Sequence, residues 1–239
     1  MNFDQPARDL QGAGTPESVW ADCHLAERLP QWQPEQPANG RVIVVAPHPD
    51  DEILGAGGTV ARLSRAGAFV ELIAVTDGER SHPGMESHLR CVRPRESLAA
   101  AGRLGIRFRS IRRLRHPDGR IDEPTLARSL AELVGPGDLV LAPWVCDGHP
   151  DHDATGRAAA QACARNGADL LAYLVWAWHW AKPDDLPWSR AQRVDISDLV
   201  APKRAAAGCF RSQIKVEAVV LPPHVLRRLV RPYEVLLRQ

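Results

Sequence analysis

The chain has 239 residues, of which 44% are hydrophobic and 25% charged, a composition that is typical of a globular domain and excludes a disordered or fibrous protein. A formal net charge of +1 gives no electrostatic case for binding nucleic acid, and no apolar run reaches the roughly 18 residues of a membrane span. The five cysteines form no C-x-x-C pair, and the first residues lack the pattern of a secretory signal. We therefore expect a reduced, cytoplasmic protein.

Strands and helices alternate along most of the chain. Residues 1–40, rich in proline, glutamine and glycine, are expected to form an arm that packs on the body and contains a short helix near 17–29. Predicted strands cover 41–46, 69–75, 106–115, 138–142 and 170–176, with a further short strand near 192–196. Predicted helices cover about 55–66, 87–103, 123–134, 153–165 and 200–211. The apolar, proline-containing piece 221–237 either packs on a second subunit or closes the core of its own chain.

This alternation predicts βαβ units, a parallel sheet and right-handed crossovers. The commonest arrangement of five such strands has the order 3-2-1-4-5, in which strands 1 and 4 are neighbours. We therefore predict a single-domain α/β protein with a Rossmann-like, open, mostly parallel sheet and helices on both faces. In this order the loops 47–52 and 143–152, which follow strands 1 and 4, meet at the crevice where open α/β sheets bind ligands.

These two loops are unusually rich in imidazole and carboxylate groups. Carboxylates placed together at the end of a buried strand repel one another and resist desolvation, and a divalent cation is the simplest compensation. Two imidazoles and one carboxylate are the mixed ligand set of a catalytic zinc site, and the groups left over are placed to act as base and acid. The six candidates are His48, Asp50, Asp51, His149, Asp151 and His152. The residues alone do not choose between Asp50 and Asp51 as ligand, and N-capping of the next helix accounts for only one of the acids.

Three motifs carry a resemblance to a known family. Pro47-His48-Pro49-Asp50-Asp51-Glu52, Thr76-Asp77-Gly78-Glu79 and His149-Pro150-Asp151-His152 resemble the PIG-L/LmbE-like family of zinc-dependent N-acetylglucosaminyl deacetylases. The resemblance covers roughly 41–213, taken as the family domain, with 214–239 as a C-terminal extension of the same domain. It implies a metal-dependent hydrolase that removes the N-acetyl group from an N-acetylglucosaminyl-type conjugate by attack of zinc-bound water on a linear amide.

The resemblance also implies roles for individual residues. By motif position, the ligands are His48, Asp51 and His152. Asp50 is implied to be the general base, and His149 to stabilise the oxyanion or protonate the departing amine, with Asp151 behind it. These roles suit an amide, whose carbonyl needs polarisation and whose amine leaving group needs a proton.

Two further residues are implied to contact the substrate. Arg93 begins an R-x-x-E pattern in the third predicted helix, and Asp118 lies in the turn after strand 3 and is implied to accept sugar hydroxyls. The expected cofactor is Zn²⁺, although Fe²⁺ suits the same ligand set. The expected partner is a small N-acetylated amino sugar conjugate, with no nucleic acid and no membrane span. The oligomeric state is left open, with a homo-oligomer as one alternative.

Other interpretations stay open at this point. A thiol-conjugate or longer-acyl amidase of the same fold, or a metal- or glycan-binding protein without catalysis, would carry much of the same pattern. The tryptophans at 176, 178 and 180 either pack in the core or form an aromatic wall for a ligand. The arginines of strand 3 indicate a solvated sheet edge, or alternatively recognition of an anionic group.

Overall fold

One open sheet organises the molecule. A computed structural model describes residues 8, 10, 12–35, 37, 39–215 and 219–239. The strands of this described part are β1 (Arg41–Ala46), β2 (Phe69–Ala74), β3 (Phe108–Arg113), β4 (Leu139–Pro143), β5 (Asp169–Tyr173), β6 (Ala191–Asp195) and β7 (Tyr233–Arg238). Their order is β3-β2-β1-β4-β5-β7-β6. Strands β1 to β5 pair in parallel, and β7 pairs antiparallel with β5 and β6. The predicted order of the first five strands is confirmed.

Helices cover both faces of this sheet. They are α1 (Glu17–Ala21), α2 (Leu25–Arg28), α3 (Asp51–Leu54), α4 (Gly57–Arg65), α5 (Glu86–Leu104), α6 (Glu123–Leu133), α7 (Pro150–Asn166), α8 (Ala177–Trp180), α9 (Val200–Ala207), α10 (Arg211–Ile214) and α11 (Pro223–Leu229). Three single 3₁₀ turns lie at Pro183–Asp185, Trp188–Arg190 and Ser197–Leu199. Among the residues with a described position, no helix combines the length and the apolar character needed to cross a bilayer.

The central strand β1 explains the two-sided core. Successive side chains of a strand point to opposite faces, so Val42 and Val44 pack with α4, α5 and α9, while Ile43 and Val45 pack with α6 and α7. All four side chains are fully buried. A strand that is buried on both faces needs an uninterrupted apolar run, and this is the pattern that the sequence shows.

The helix after β1 differs from its prediction. It was expected to begin near residue 55, whereas α3 begins at Asp51, ends at Leu54 and is separated from α4 by Gly55 and Ala56. A Cβ atom on Gly55 would clash with the ring of Tyr173 in β5. The break therefore lets the chain pass directly over this ring, and α3 forms a separate turn that carries Asp51.

Two other predicted helices are also divided. The helix expected near 17–29 is the pair α1 and α2, interrupted at His24, which has a left-handed φ of 49°. The helix expected near 200–211 ends at Ala207, and α10 follows after a turn. In the arm, Trp20 is fully buried and its Nε1 donates to the carbonyl of Trp178 (3.0 Å). The described part of the arm thus contacts the body, and the predicted division at residues 40 and 213 stays a prediction.

The C-terminal segment closes the core of its own chain. Strand β7 lies between β5 and β6, where Leu236 and Leu237 are fully buried. Of the two alternatives left open by the sequence, this is the one that the structure shows. Residues 216–218 of the predicted extension, and residues 1–7, 9, 11, 36 and 38 of the predicted arm, lie outside the described residues.

Candidate metal centre and catalytic pocket

The loop between β1 and α3 is held in a strained conformation. The hydroxyl of Thr76 donates to the carbonyl of Pro47 (2.8 Å), and the guanidinium of Arg93 donates to that of Pro49 (3.0 Å). Asp50 has φ 146° and ψ −30°, a region that favours glycine and costs another residue about 1–3 kcal/mol. Its side chain makes no capping hydrogen bond to α3. Capping therefore does not explain Asp50, whose carboxylate is directed elsewhere.

Two imidazoles approach one carboxylate oxygen of Asp51. Asp51 Oδ2 lies 3.3 Å from His48 Nδ1 and 3.2 Å from His152 Nε2. His152 Nε2 is buried and forms no hydrogen bond in the described part of the chain, although it lies 3.2 Å from Asp51 Oδ2. Ligand atoms bound about 2.0–2.1 Å from one tetrahedral ion lie about 3.3 Å from each other. Asp51 Oδ2 and each of the two imidazole nitrogens are thus spaced as two ligands of one ion would be, but these three residues are not among the described groups whose ligand atoms all lie within 4.8 Å of one another.

The other nitrogen of His48 faces two further carboxylates. His48 Nε2 lies 3.1 Å from Asp151 Oδ2 and 3.2 Å from Asp118 Oδ1. Two sets of ligand atoms are close enough to share an ion. One set comes from His48, Asp118 and Asp151, and the other comes from the imidazoles of His48, His149 and His152. Burial lowers the pKa of His48, but the carboxylates of Asp118, Asp151 and Asp51 outweigh it and raise this pKa well above the ordinary value. Carboxylates on both sides of the ring fix its orientation, as they do for histidines that bind metals.

Asp151 contacts both His149 and His48, through different groups. It was expected to stand behind His149, but its carboxylate accepts from the backbone N–H of Gly119 (2.7 Å) and faces His48. Consecutive residues on a helix point about 100° apart, so Asp151 and His152 at the start of α7 diverge. The Asp151 carboxylate therefore orients the His48 ring, and Asp151 acts on His149 through its backbone N–H and its charge.

A buried aspartate that the sequence argument left unassigned supports His152. Asp147 is fully buried, and its Oδ2 lies 2.8 Å from His152 Nδ1. The same carboxylate accepts three backbone N–H groups, those of residues 175, 176 and 177. Burial lowers the pKa of His152, yet Asp51 and Asp147 together raise it to about 9 in the protein without metal. Asp147 could have been identified from the sequence, because it is an acid in the loop after β4 that lies five residues before the predicted ligand His152.

The Asp50 carboxylate is bound by Arg93 and not by the ligand cluster. Its Oδ2 accepts from Arg93 Nη2 (3.0 Å), and Arg93 Nη1 donates to the carbonyl of Gly78 (2.7 Å). Burial raises the pKa of Asp50 to about 7, against the opposing charge of Arg93. The backbone N–H of Asp50 donates to Glu52 (3.1 Å), whose other carboxylate oxygen accepts from Ser97. Asp50 is thus fixed at both its backbone and its side chain, while Asp51, beside the two histidines, has a pKa held well below its usual range despite burial.

His149 is the remaining candidate of the second loop. Its Nδ1 accepts from the backbone N–H of Asp151 (3.2 Å). Burial and the neighbouring charges of His48 and His152 lower its pKa to about 3. A neutral ring that accepts at Nδ1 carries its proton on Nε2, so His149 presents an N–H donor. Its ring is nearly parallel to that of Trp176, with centroids 6.4 Å apart.

Six of the eight predicted site residues line a cavity of about 920 Å³, which we call the active-site pocket. Its lining includes His48, Asp50, Asp51, Arg93, Asp118, His149 and Trp176, together with Val219, Val220, Leu221, Pro222, His224 and Val225 of the C-terminal segment. Of the tryptophans, Trp176 lines the pocket and Trp178 is buried in the core, so both interpretations of that cluster apply in part. The structure brings together all eight residues that the sequence argument named, whose individual roles stay predictions.

The chain belongs to the PIG-L family. Residues 43–163, half of the chain, match this family, whose description is GlcNAc-PI de-N-acetylase. Every residue of the candidate metal centre lies within this range. The family is one whose name describes removal of an N-acetyl group from an amino sugar.

Individual relatives extend the match over most of the chain. Diacetylchitobiose deacetylase of Thermococcus kodakarensis is 29% identical over 219 residues, which cover 81% of this chain and 77% of the relative. The structure of the conserved protein TT1542 from Thermus thermophilus is similar with a TM-score of 0.58 and 30% identity, covering 78% of this chain and 84% of that one. N,N′-diacetylchitobiose deacetylase of Pyrococcus horikoshii shares the fold with a TM-score of 0.64 at 23% identity, covering 96% and 94%.

Proposed function

We propose that this protein is a metal-dependent N-deacetylase that hydrolyses the N-acetyl amide of an N-acetylglucosaminyl-type conjugate to acetate and a free amine. The family and the names of the relatives support the reaction class. One observation carries the proposal for this chain: the strained Asp50 carboxylate, bound by Arg93, lies in an open pocket beside His48, Asp51 and His152. A protein that only binds metal needs the ligands but not this additional carboxylate.

The proposed ligands of the cation are His48, Asp51 and His152, and Zn²⁺ is the proposed ion. When bound, the ion supplies a Lewis acid that polarises the amide carbonyl and makes hydroxide available near neutral pH. Two imidazoles and a carboxylate also suit Fe²⁺. Asp147 and Asp151 orient the two imidazoles through the nitrogens that do not face Asp51.

Asp50 is the proposed general base, which takes a proton from the attacking water. A base is most effective when its pKa is near the working pH, and burial brings Asp50 into that range. The ion pair with Arg93 holds the carboxylate in place during the reaction. His149 is proposed to donate its Nε2–H to the oxygen that becomes negative as the tetrahedral intermediate forms. For His149 to protonate the departing amine as well, its neutral ring must first take up the proton that Asp50 has removed from the water, because loss of Nε2–H alone would leave an imidazolate.

The proposed substrate contacts have different geometric support. Asp118 lines the active-site pocket, and its Oδ2 accepts from the backbone N–H of Arg80 (2.7 Å). It is proposed to accept a sugar hydroxyl. Arg93 also lines the pocket, but both terminal nitrogens of its guanidinium already donate to protein oxygens. We assign it to positioning Asp50, and the substrate contact implied by the resemblance stays a prediction.

The experiment that tests this function measures acetate release from N-acetylglucosamine conjugates, including N,N′-diacetylchitobiose. Protein loaded with Zn²⁺ is compared with protein stripped by a chelator, and Asp50→Asn with Asp198→Asn, an exposed aspartate that does not line the pocket. We expect release that needs metal, its loss in Asp50→Asn with metal still bound, and normal turnover in Asp198→Asn.

The alternatives give different results in the same assay. If an amine is released only from conjugates with longer acyl groups, the protein is an amidase of the same fold and not a deacetylase. Absence of turnover on every conjugate, with zinc bound in stoichiometric amount, would leave a binding protein. Turnover that survives in Asp50→Asn would show that the base is a different group.

A further inference from the structure

A second cavity lies on the other side of the loop that follows β1. It has a volume of about 460 Å³ and lies between helix α5 and the outer strands β2 and β3, and we call it the edge pocket. The described residues that line it share only His48 with the lining of the active-site pocket. A cavity of this size is in the range that holds a small molecule.

Small side chains explain why the edge pocket is not filled. Leu72 and Ala74 of β2 pair in register with Ile111 and Arg113 of β3, and their side chains face α5. Opposite them on α5 are Cys91, Pro94 and Leu98, and Ala46 of β1 lies alongside. Alanine and cysteine do not span the gap between the helix and the sheet. Two large apolar side chains consequently remain in contact with solvent, Leu98 with 51% and Ile111 with 40% of its surface exposed.

One wall of the edge pocket is built around a proline within a helix. Pro94 has no N–H group, so the carbonyl of Arg90 one turn earlier lacks its usual helical donor. Arg113 of β3 donates to this carbonyl (3.3 Å) and also forms an ion pair with Asp77 (2.6 Å). The helix and the edge strand are therefore joined at this point, which fixes the width of the cavity.

The rim of the edge pocket carries two arginines without acidic partners among the described residues. Arg90 lies 3.5 Å from Glu79, and Arg113 is paired with Asp77. Arg95 and Arg115 also line the cavity, and neither makes a side-chain hydrogen bond or an ion pair within the described part of the chain. Both are exposed. Their guanidinium groups are free to bind a carboxylate in the planar, two-bond geometry that arginine favours.

We propose that the edge pocket is a binding site for a small amphipathic carboxylate, whose apolar body packs against Leu98 and Ile111 and whose acid group binds Arg95 and Arg115. The apolar body removes the exposed surface of the two large side chains from water, which is favourable in proportion to its area. The acid group supplies the counter-charge that the rim lacks. An ion without an apolar body would leave the cavity unfilled, and a neutral apolar molecule would leave the arginines unpaired.

The test uses the full chain, loaded with zinc, and four probes: hexanoate, its neutral analogue hexanamide, acetate and inorganic phosphate. Binding is measured by isothermal titration, and the position of the ligand by the rate at which iodoacetamide alkylates Cys91, which is exposed and lines the edge pocket. The test variant is Arg95→Gln/Arg115→Gln. The matched control is Arg103→Gln/Arg109→Gln, which removes the same charge from α5 and β3 at exposed positions outside the cavity.

We expect hexanoate to bind with a Kd of about 1 mM or tighter, to bind more tightly than the other three probes, and to slow alkylation of Cys91. The test variant should lose affinity for hexanoate at least about tenfold, since each charge-assisted pair is strong, while the control variant binds as the parent protein does. Both variants alter exposed residues and are expected to retain the thermal midpoint of the parent.

Several results would overturn the proposal. Equal binding of hexanamide would remove any role for the arginines, and phosphate or acetate that binds as tightly as hexanoate and protects Cys91 equally would leave an anion site without an apolar part. Hexanoate that binds without protecting Cys91, or that binds the test variant as tightly as the control, would place the ligand elsewhere on the protein.

Discussion

The buried ion pair between Lys203 and Glu234 allows a quantitative test of the fold beneath the candidate metal centre. Lys203 is 1% exposed, and its Nζ donates to Glu234 Oε1 (2.6 Å) and to the carbonyl of Leu54 at the end of α3 (2.9 Å). Glu234 of β7 also accepts three donors at the start of α4: the backbone N–H groups of Gly58 and Thr59 and the hydroxyl of Thr59. Removal of Glu234 leaves Lys203 without a counter-charge, whereas removal of Lys203 leaves Glu234 with its three donors on α4.

This difference sets the expected magnitudes. Breaking a buried pair by removing one partner costs about 3–5 kcal/mol, because a bare charge is left behind. In Glu234→Gln the ammonium of Lys203 loses its counter-charge and keeps only neutral acceptors, and we expect a loss of about 4 kcal/mol in the free energy of unfolding. In Lys203→Met the carboxylate keeps three donors at a helix N-terminus, which favours an anion, and we expect a smaller loss of about 2 kcal/mol.

The assay is urea and thermal unfolding of each variant followed by circular dichroism. At about 2–4 °C per kcal/mol for a chain of this size, Glu234→Gln should lower the thermal midpoint by about 8–16 °C and Lys203→Met by about half as much. The control is Asp198→Asn, which breaks the exposed pair with Arg62 (2.6 Å) and should cost less than about 1 kcal/mol. A larger loss in Lys203→Met than in Glu234→Gln, or losses no larger than that of the control, would refute this account of the pair.

Three further predictions concern the site itself. Asp147→Asn should weaken zinc binding about 10- to 100-fold, since it removes the carboxylate that orients His152, as measured by competition with a zinc indicator. Arg93→Lys should lower kcat about 10- to 100-fold with little change in KM, since it misplaces Asp50 and leaves the pocket otherwise intact. Trp176→Ala should raise KM about 3- to 10-fold in the deacetylase assay, because it removes an aromatic wall of the pocket.

Each of these predictions has a contrary outcome. If zinc affinity is unchanged in Asp147→Asn, this carboxylate only binds the backbone N–H groups after β5 and does not orient His152 for the ion. A rise in KM with normal kcat in Arg93→Lys would favour the substrate contact that the family resemblance implies over the positioning role. A fall in kcat alone in Trp176→Ala would mean that the indole acts through its stacking on His149 and not on the substrate.

Local sequence patterns were sufficient for the part of the fold that holds the site. The apolar run 42–45 predicted a strand buried on both faces, and the alternation of strands with helices predicted that the loops after β1 and β4 would meet. That meeting brings His48 within reach of His152, although about a hundred residues separate them. The arginine-rich third strand was expected at a sheet edge, and it lies there.

Features that depend on distant contacts were not predictable in the same way. Strand β7 lies antiparallel between β5 and β6, and nothing in its six-residue sequence indicates which strands it pairs with. The family resemblance implies a place for Asp151 behind His149, whereas the helical turn at the start of α7 directs its carboxylate to His48. Asp147 lacked an assignment because its role depends on three N–H groups that follow another strand.

The insertion of β7 also has a consequence for the order in which the molecule is made. Strand β6 is synthesised well before β7, yet in the described chain it pairs along its length only with β7 and otherwise makes a single bridge to Gln31. The ribosome therefore exposes β6 as a largely unpaired strand until residues 233–238 have emerged, and unpaired strands are templates for aggregation. Glu234, whose carboxylate accepts from the backbone N–H groups of Gly58 and Thr59 at the start of α4, lies in the same late segment. A nascent chain can thus build its parallel half first, while the pairing of β6 and the Glu234 contacts to α4 wait for β7.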